Sequence, residues 1–482
     1  MATESELETY DLYIDGNLVP AADGEWFETR NPATGDAFAR VARAREEDIE
    51  RAVEAANEAL DSWRAMAPEE RGRLLSQLAA KIRENKESLA LLETRDNGKP
   101  ISHGRADVET CARYFEYYAG VADKIHGDSI PLTEEYVDYT VREPLGVTAQ
   151  IIPWNLPTNI FGRSVAPALA TGNVAVVKPA EQTPLTAVRI ADLAGEVGFP
   201  NGVLNVVPGF GPEAGAPLSS HPNVDGISFT GSVPTGIEVA KTAVENVTNV
   251  HLELGGKSPN VVYPDADLTT AVESTMTGIF ANAGQVCSAG SRLIIHEDIK
   301  DEFLDELVAR TEEMTIDDGE LDPDMGPLVS EEQFEKVTKY LEVGRTEAGE
   351  PLVGGSALDR DGYFVEPTVF DGVENHMRIA QEEIFGPVLS VIEFSTESEA
   401  IEIANDVDYG LVAGIHTQNM GRAHRFARDV RAGQVYINEW FAGGEETPFG
   451  GFKQSGFGRE KGLAALDAYT QVKNVCANIT PN

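Results

Sequence analysis

Cysteine is nearly absent from this chain of 482 residues: three occur, at positions 111, 287 and 476, too few to pair completely. No C-x-x-C exists among them, which removes a zinc clip or a dithiol couple and suits a reducing cytosol. The eight histidines show no H-E-x-x-H or other ligand spacing, so no metal is expected. Positive charge is scarce as well. Lysine and arginine number 38 against 80 aspartates and glutamates, a net of −42. Such a field repels nucleic-acid phosphates and anionic lipid, and disfavours both as partners. Long apolar runs are missing: no run of roughly 18 apolar residues without a charge occurs, so nothing reads as a membrane span. The opening "MATESELETYDLYIDG" lacks the basic end, apolar middle and cleavage site of a secretory leader. A cytoplasmic location is the expectation.

The carboxylates are not gathered into a tail. They sit along apolar-periodic segments such as "REEDIERAVEAANEALDSW", so they coat a folded surface. In molar salt the Debye length falls to about 3 Å and most of their mutual repulsion disappears. This pattern, with lysine scarcer than arginine, reads as a protein of a salt-in halophile.

At this length two lobes are expected, because single cores stop growing at roughly 250 to 300 residues. Ile49, Val53, Ala56, Leu60 and Trp63 predict one helix, and the leucines from Leu74 to Leu92 a second that runs to "DNGKP". From residue 146 the pattern becomes short apolar runs alternating with helical stretches: "GVTAQII", "NVAVVKP", "GVLNVVP", "VDGISFTG" and "NVHLELGG" read as buried parallel strands. A second alternating series runs from near 259 to about 450. The predicted class is α/β, two doubly wound lobes. "DSIPLTEEYVDYTVREPLG" and the C-terminal "YTQVKNVCANI" read as an exposed β arm suited to self-association.

Candidate chemistry sits where strands end. "FTGSVPTG" places Gly231, Ser232 and Gly236 between strand and helix, either a phosphate-facing turn or an ordinary one. "VVKPAEQTP" sets Lys178 and Glu181 at another strand end, where they could hold ribose hydroxyls or simply form a solvated pair. Glu253 in "LELGGKSPN" has apolar flanks that favour a desolvated, basic carboxylate over one more surface acid. Asn155, in "IIPWNLPTNIFGR", could donate to an oxyanion or make a turn. Cys287 in "FANAGQVCSAGSR" is a nucleophile only if a base and an oxyanion site accompany it; a lone cysteine is more often packing.

Taken in order between residues 153 and 460, "PWNLP", "KPAE", "FTGS", "LELGGKSPN", "GQVCSAGSR", "EEIFGPV" and "PFGGFKQSGFGRE" resemble the aldehyde dehydrogenase superfamily. The resemblance implies an NAD(P)-binding domain over 1–125 and 146–255, a catalytic domain over 256–452, and an oligomerisation arm from 126–145 and 453–482. It implies that Cys287 attacks an aldehyde, that Asn155 holds the oxyanion and that Glu253 activates water to release a carboxylic acid. Cofactor contacts would come from Ile151, Trp154, Lys178, Glu181, Gly231, Ser232, Gly236, Glu383 and Phe385. Glu181 beside the ribose 2′-OH favours NAD, while NADP stays open. The assembly implied is a homodimer or homotetramer. Arg163 matches the arginine with which semialdehyde-oxidising relatives grip a distal carboxylate, whereas Ala281 stands where they often carry a second. The implied substrate is therefore an ω-oxo acid such as 2-oxoglutarate semialdehyde or succinate semialdehyde; the alternative is an uncharged or betaine-type aldehyde. The rivals from other classes are a catalytically retired relative and a cofactor-free cysteine hydrolase.

Overall fold

The structure, a computed structural model, describes residues 7–480; the outermost residues of the predicted first lobe and arm, 1–6 and 481–482, lie outside it. Five short runs rich in β-branched residues form the parallel centre of an eight-stranded sheet. Their order is Asn249–Glu253, Gly226–Thr230, Val147–Ile151, Val174–Lys178, Leu204–Val206. Helices cover both faces, so Val174–Lys178 is buried at every position, as the uninterrupted apolar run requires. Chain order reverses between Val147–Ile151 and Gly226–Thr230, and a crevice opens beyond the carboxyl ends of these strands. The edge hairpin Leu12–Ile14 and Asn17–Val19, which the sequence reading did not anticipate, closes one side.

The second lobe is a six-stranded parallel sheet, ordered Thr368–Phe370, Val388–Phe394, Arg292–His296, Pro259–Val262, Val412–His416, Gln434–Ile437. Together the two sheets give the doubly wound α/β architecture expected from the alternating pattern.

Two expectations are corrected. The leucine-rich segment after residue 67 is two helices, Pro68–Glu84 and Lys86–Asn97. Asn85 leaves helical geometry at φ −100°, ψ 15°, and its side-chain amide donates to the Lys81 carbonyl at 2.9 Å. An asparagine that bonds the backbone locally ends a helix even where the apolar pattern continues. The C-terminal stretch 453–482 is divided between two sheets. Gly456–Phe457 pairs antiparallel with Asn249–Glu253, Ala465 and Leu466 join the first core, and only Thr470–Asn478 pairs with Tyr136–Pro144 as an arm. The arm leaves Ile130, Tyr136, Val137, Tyr139, Val472 and Ile479 exposed.

Candidate active site

Cys287 lies where the two lobes meet, on a loop whose path is set by backbone strain. The helix Leu268–Phe280 stops at Ala281, and Asn282 and Ala283 then take left-handed φ angles of 50° and 52°. Non-glycine residues held there are uncommon and persist only when neighbours fix them. The fixing groups are visible. Asn282 Nδ2 donates to the Asn155 carbonyl at 2.9 Å, Gln285 Nε2 donates to the Asn282 carbonyl at 3.0 Å, and Gln285 Oε1 accepts the Val329 N–H at 3.0 Å. Gly284, at φ 73°, has no room for a Cβ, which would come within 2.1 Å of the Gly386 carbonyl oxygen.

This stitching joins Asn155 to the cysteine loop. The Asn155 side chain is buried and donates one N–H to the Gln285 carbonyl at 2.9 Å. An amide has two N–H donors, so one remains for an oxyanion near Cys287. The turn-making alternative does not describe a buried amide aimed across two lobes. Cys287 is half-buried, and desolvation pushes its thiol up to about 12, opposed by the Arg163 guanidinium and the Ser288 N–H. At neutral pH it rests as a thiol and needs added positive charge to become a thiolate.

Glu253 ends its strand 2% exposed, and its carboxylate is pushed above the usual range by desolvation. It faces His251 and Gly450 rather than open space: His251 Nε2 is 3.4 Å from Oε1, and a Cβ on Gly450 would stand 2.7 Å from the same oxygen.

Three cavities meet near Cys287 and Asn155, while Glu253 lies behind their walls and lines none of them. A cleft of about 710 Å³ runs over the carboxyl ends of the first sheet, lined by Ile151, Trp154, Lys178, Glu181, Gly231 and Ser232. It continues through Trp154, Gly231 and Ser232 into a space of about 220 Å³ that holds Asn155, Cys287, Glu383 and Phe385. On the other side of Cys287 a cavity of about 450 Å³ opens between Tyr114, Leu156, Arg163, Tyr436, Phe441 and Phe449. Cys287 is the one residue that lines both the second and the third. A long polar-ended ligand can reach it from one side and a small molecule from the other.

The first cleft fits a dinucleotide. Ser232 caps the helix Val233–Glu245, its Oγ accepting the Thr235 N–H at 3.4 Å, and Gly231, Ser232 and Thr235 bring the positive end of this helix to the cleft wall. Lys178 and Glu181 are paired at 3.1 Å, and Lys178 is buried, so the solvated-pair alternative fails for the lysine. Glu383 accepts the Gly256 N–H at 2.8 Å, and Phe385, in a left-handed conformation at φ 61°, packs edge-on against Trp154 with centroids 5.2 Å apart. Gly236 differs from expectation. It lies inside the helix, absent from the cleft wall, and the space of its missing Cβ is taken by Leu254, 2.5 Å away. It lets the helix pack closely on the sheet.

Arg163 is the second difference. It lines the third cavity, but the residue is only 6% exposed, and its guanidinium forms a short ion pair with Glu460 and stacks over the Phe449 ring at 5.3 Å. A charge already neutralised by a buried carboxylate is a poor receptor for a second one.

The aldehyde dehydrogenase family model matches residues 18–475, nearly the whole chain. The chain belongs to that family. It is 46% identical over 474 residues to hydroxyisobutyraldehyde dehydrogenase of Mycolicibacterium austroafricanum, covering 98% of this chain and 94% of that enzyme. The NAD⁺ complex of a Bacillus cereus aldehyde dehydrogenase superposes with TM-score 0.97 at 46% identity, covering 98% of this chain and 97% of that one. Betaine aldehyde dehydrogenase of Staphylococcus aureus in complex with NAD⁺ superposes with TM-score 0.96 at 42% identity, covering 99% and 96%. Membership makes the protein an oxidoreductase acting on aldehydes.

Sequence reasoning missed several lining residues. Gln333 and Lys336 enter the central space from a helix, Glu331–Ala348, that carried no motif. Tyr114 and Tyr436 face the third cavity from segments that carried no motif. Glu460 and His251 lay inside or beside quoted motifs, but nothing local marks them as partners of Arg163 and Glu253.

Proposed function

We propose that the protein oxidises an uncharged aliphatic or aromatic aldehyde to its carboxylic acid with NAD⁺, through a thioester on Cys287. The observation that carries this reading is the meeting of the dinucleotide-sized cleft and the aromatic cavity at one cysteine. The dinucleotide, when bound, supplies a hydride acceptor and a cationic ring. Lys178 and Glu181 hold one ribose, the Ser232 helix end the pyrophosphate, and Glu383 the other ribose, with Ile151, Trp154 and Phe385 packing against the rings. Deprotonated Cys287 Sγ adds to the carbonyl carbon, and the free Asn155 N–H stabilises the resulting oxyanion. The carbon then loses hydride with its bonding pair and becomes a thioester. Glu253 swings from His251, takes a proton from water, and the water oxygen adds to the thioester carbon; the C–S bond breaks and the acid leaves.

The Arg163–Glu460 pair turns the substrate reading away from semialdehydes, and among walls that also carry Asp107, Glu445 and Lys461 the faces of Tyr114, Leu156, Tyr436, Phe441 and Phe449 favour apolar bodies. The relative named for hydroxyisobutyraldehyde agrees with this direction. The test is an aldehyde panel in molar KCl, read as reduced cofactor. Uncharged aldehydes are expected to exceed semialdehydes of equal length in kcat/KM by about tenfold or more, and the reverse order overturns the reading. With a net charge of −42, activity is expected to fall when KCl is lowered to tens of millimolar, as screening is lost. Full activity there contradicts a molar-salt habitat.

Cofactor choice rests on Glu181. Its carboxylate accepts a ribose 2′-OH and repels a 2′-phosphate. Glu181→Ser is expected to shift the NADP⁺ to NAD⁺ ratio of kcat/KM upward by about tenfold, near 1.4 kcal/mol. An unchanged ratio places discrimination elsewhere. The exposed apolar side chains of the arm support a homo-oligomer built through that sheet.

A further inference from the structure

Four ionisable side chains are sealed together behind Cys287. His251 Nε2 is 3.4 Å from Glu253 Oε1, His251 Nδ1 is 3.8 Å from Glu460 Oε1, and Glu460 Oε2 is in short contact with Arg163 Nε. His251 and Glu253 lie on one strand two residues apart, so their side chains share a face. Glu460 reaches the same face from the loop after Gly456–Phe457, and Arg163 from the helix Pro157–Ala170. All four are buried, and both His251 nitrogens and both Glu253 oxygens lack a hydrogen bond of good geometry.

Charge counting decides what this arrangement needs. Two carboxylates face one permanent cation, Arg163, and leave an uncompensated buried negative charge. Of the other groups at hand, Lys461 faces Glu460 from the wall of the third cavity, but there it also faces Glu445 and Glu446, so it is no dedicated partner of this pair. Ser228 Oγ donates to Glu460 Oε1 at 3.4 Å, while Tyr114 and Tyr469 beyond Arg163 and Glu460 remain neutral phenols. Arg459 donates to the Gly451 and Gly458 carbonyls. The imidazole is the group placed between both carboxylates, one nitrogen toward each.

We propose that His251 is a positioning residue that carries the compensating proton and thereby keeps Glu253 an ionised base in a site where burial alone would protonate it. The inference rests on the reading of Glu253 as the water-activating group. Without the imidazolium the balancing proton goes to a carboxylate, and a protonated Glu253 cannot accept one from water. Burial raises the Glu253 carboxyl and His251 lowers it, which agrees in direction.

The test compares His251→Gln and Glu460→Gln with the unmodified enzyme in molar KCl. The pH dependence is followed separately for the first-turnover burst of reduced cofactor and for steady-state kcat under conditions where thioester hydrolysis limits. In His251→Gln the acid limb of kcat is expected to move up by about one pH unit or more, and in Glu460→Gln it moves down. In His251→Gln the burst profile should stay in place. A limb that does not move in folded His251→Gln, or a uniform loss at every pH, overturns the proposal. Infrared difference spectroscopy gives a readout independent of turnover. A protonated carboxyl band is expected at neutral pH in His251→Gln, absent from the unmodified enzyme and from His251→Gln/Glu253→Gln. Its absence from the single variant also overturns the proposal. If the unmodified enzyme forms no reduced cofactor with any aldehyde, the reading of the reaction has failed, and the infrared result alone decides the role of His251.

Discussion

Replacing Cys287 by alanine is expected to lower kcat/KM for aldehyde oxidation by about 10⁵-fold or more while leaving dinucleotide binding nearly unchanged. The size follows from what the thiol does. It forms the bond that turns an aldehyde into a hydride donor, and no other nucleophile lines both the central space and the aromatic cavity. The other cysteines cannot substitute. Cys111 is sealed in a helix with its thiol pushed well upward by burial, and Cys476 lies on the exposed arm. Binding persists because Cys287 contributes none of the wall of the larger cleft. The measurement is cofactor titration by fluorescence beside initial rates. Residual turnover within about a hundredfold of the unmodified enzyme would assign the nucleophile elsewhere. Cys287→Ser separates nucleophile strength from shape: the hydroxyl keeps the volume but ionises far less readily, so its rate should lie close to that of the alanine variant. The same substitution also tests the rival of a retired relative, since a protein with no chemistry loses nothing.

What the sequence made legible at this site was local. Cys287, Glu253 and Asn155 each stand within three residues of a glycine or proline that marks the end of an apolar run, and strand ends in a doubly wound sheet converge on one crevice. Lys178 and Glu181, three residues apart on one turn, could be read as a pair for the same reason. The structure adds relations between distant segments that no local pattern encodes. Arg163 looked free to grip a carboxylate because Glu460 enters on the C-terminal segment, after a strand that completes the edge of the first sheet. That strand, Gly456–Phe457, is two residues long and glycine-rich, with no periodicity to announce it. Gly236 misled in the opposite way. A glycine near a phosphate turn suggests backbone approach to a ligand, but here it accommodates Leu254, a contact set by helix-on-sheet packing. Asn85 shows the same limit in the fold: the leucine pattern was continuous, and one side-chain hydrogen bond to Lys81 divided the helix. Residue type and spacing announce groups on one element; which groups neutralise one another is decided by packing across elements.

Glu253→Gln is expected to separate the two halves of the reaction. Hydride transfer needs the thiol and the oxyanion donor, both intact in this variant, so about one equivalent of reduced cofactor per site should still appear in the first turnover. Hydrolysis needs a base, and general-base assistance contributes roughly 10²- to 10⁴-fold, so steady-state kcat should fall by about 10³-fold. Quenched samples should then hold the acyl group on Cys287, visible as added mass. The pH dependence supplies the sign. Desolvation raises the Glu253 carboxyl above the ordinary range, so the neutral acid persists to higher pH than in an exposed glutamate. In the unmodified enzyme, hydrolysis therefore rises with pH as that proton is lost, along a limb displaced upward from the usual carboxylate region. Glutamine cannot titrate, and the limb should vanish from kcat in the variant. An isosteric amide also removes one buried charge beside Glu460, so the fold should tolerate the change, and the loss of rate is read as chemistry. If the burst disappears together with steady-state turnover, Glu253 acts before hydride transfer, as the base that deprotonates Cys287. If both survive, water is activated by another group, and Glu383, which lines the central space beside Cys287 and accepts the Gly256 N–H, is the next carboxylate to test.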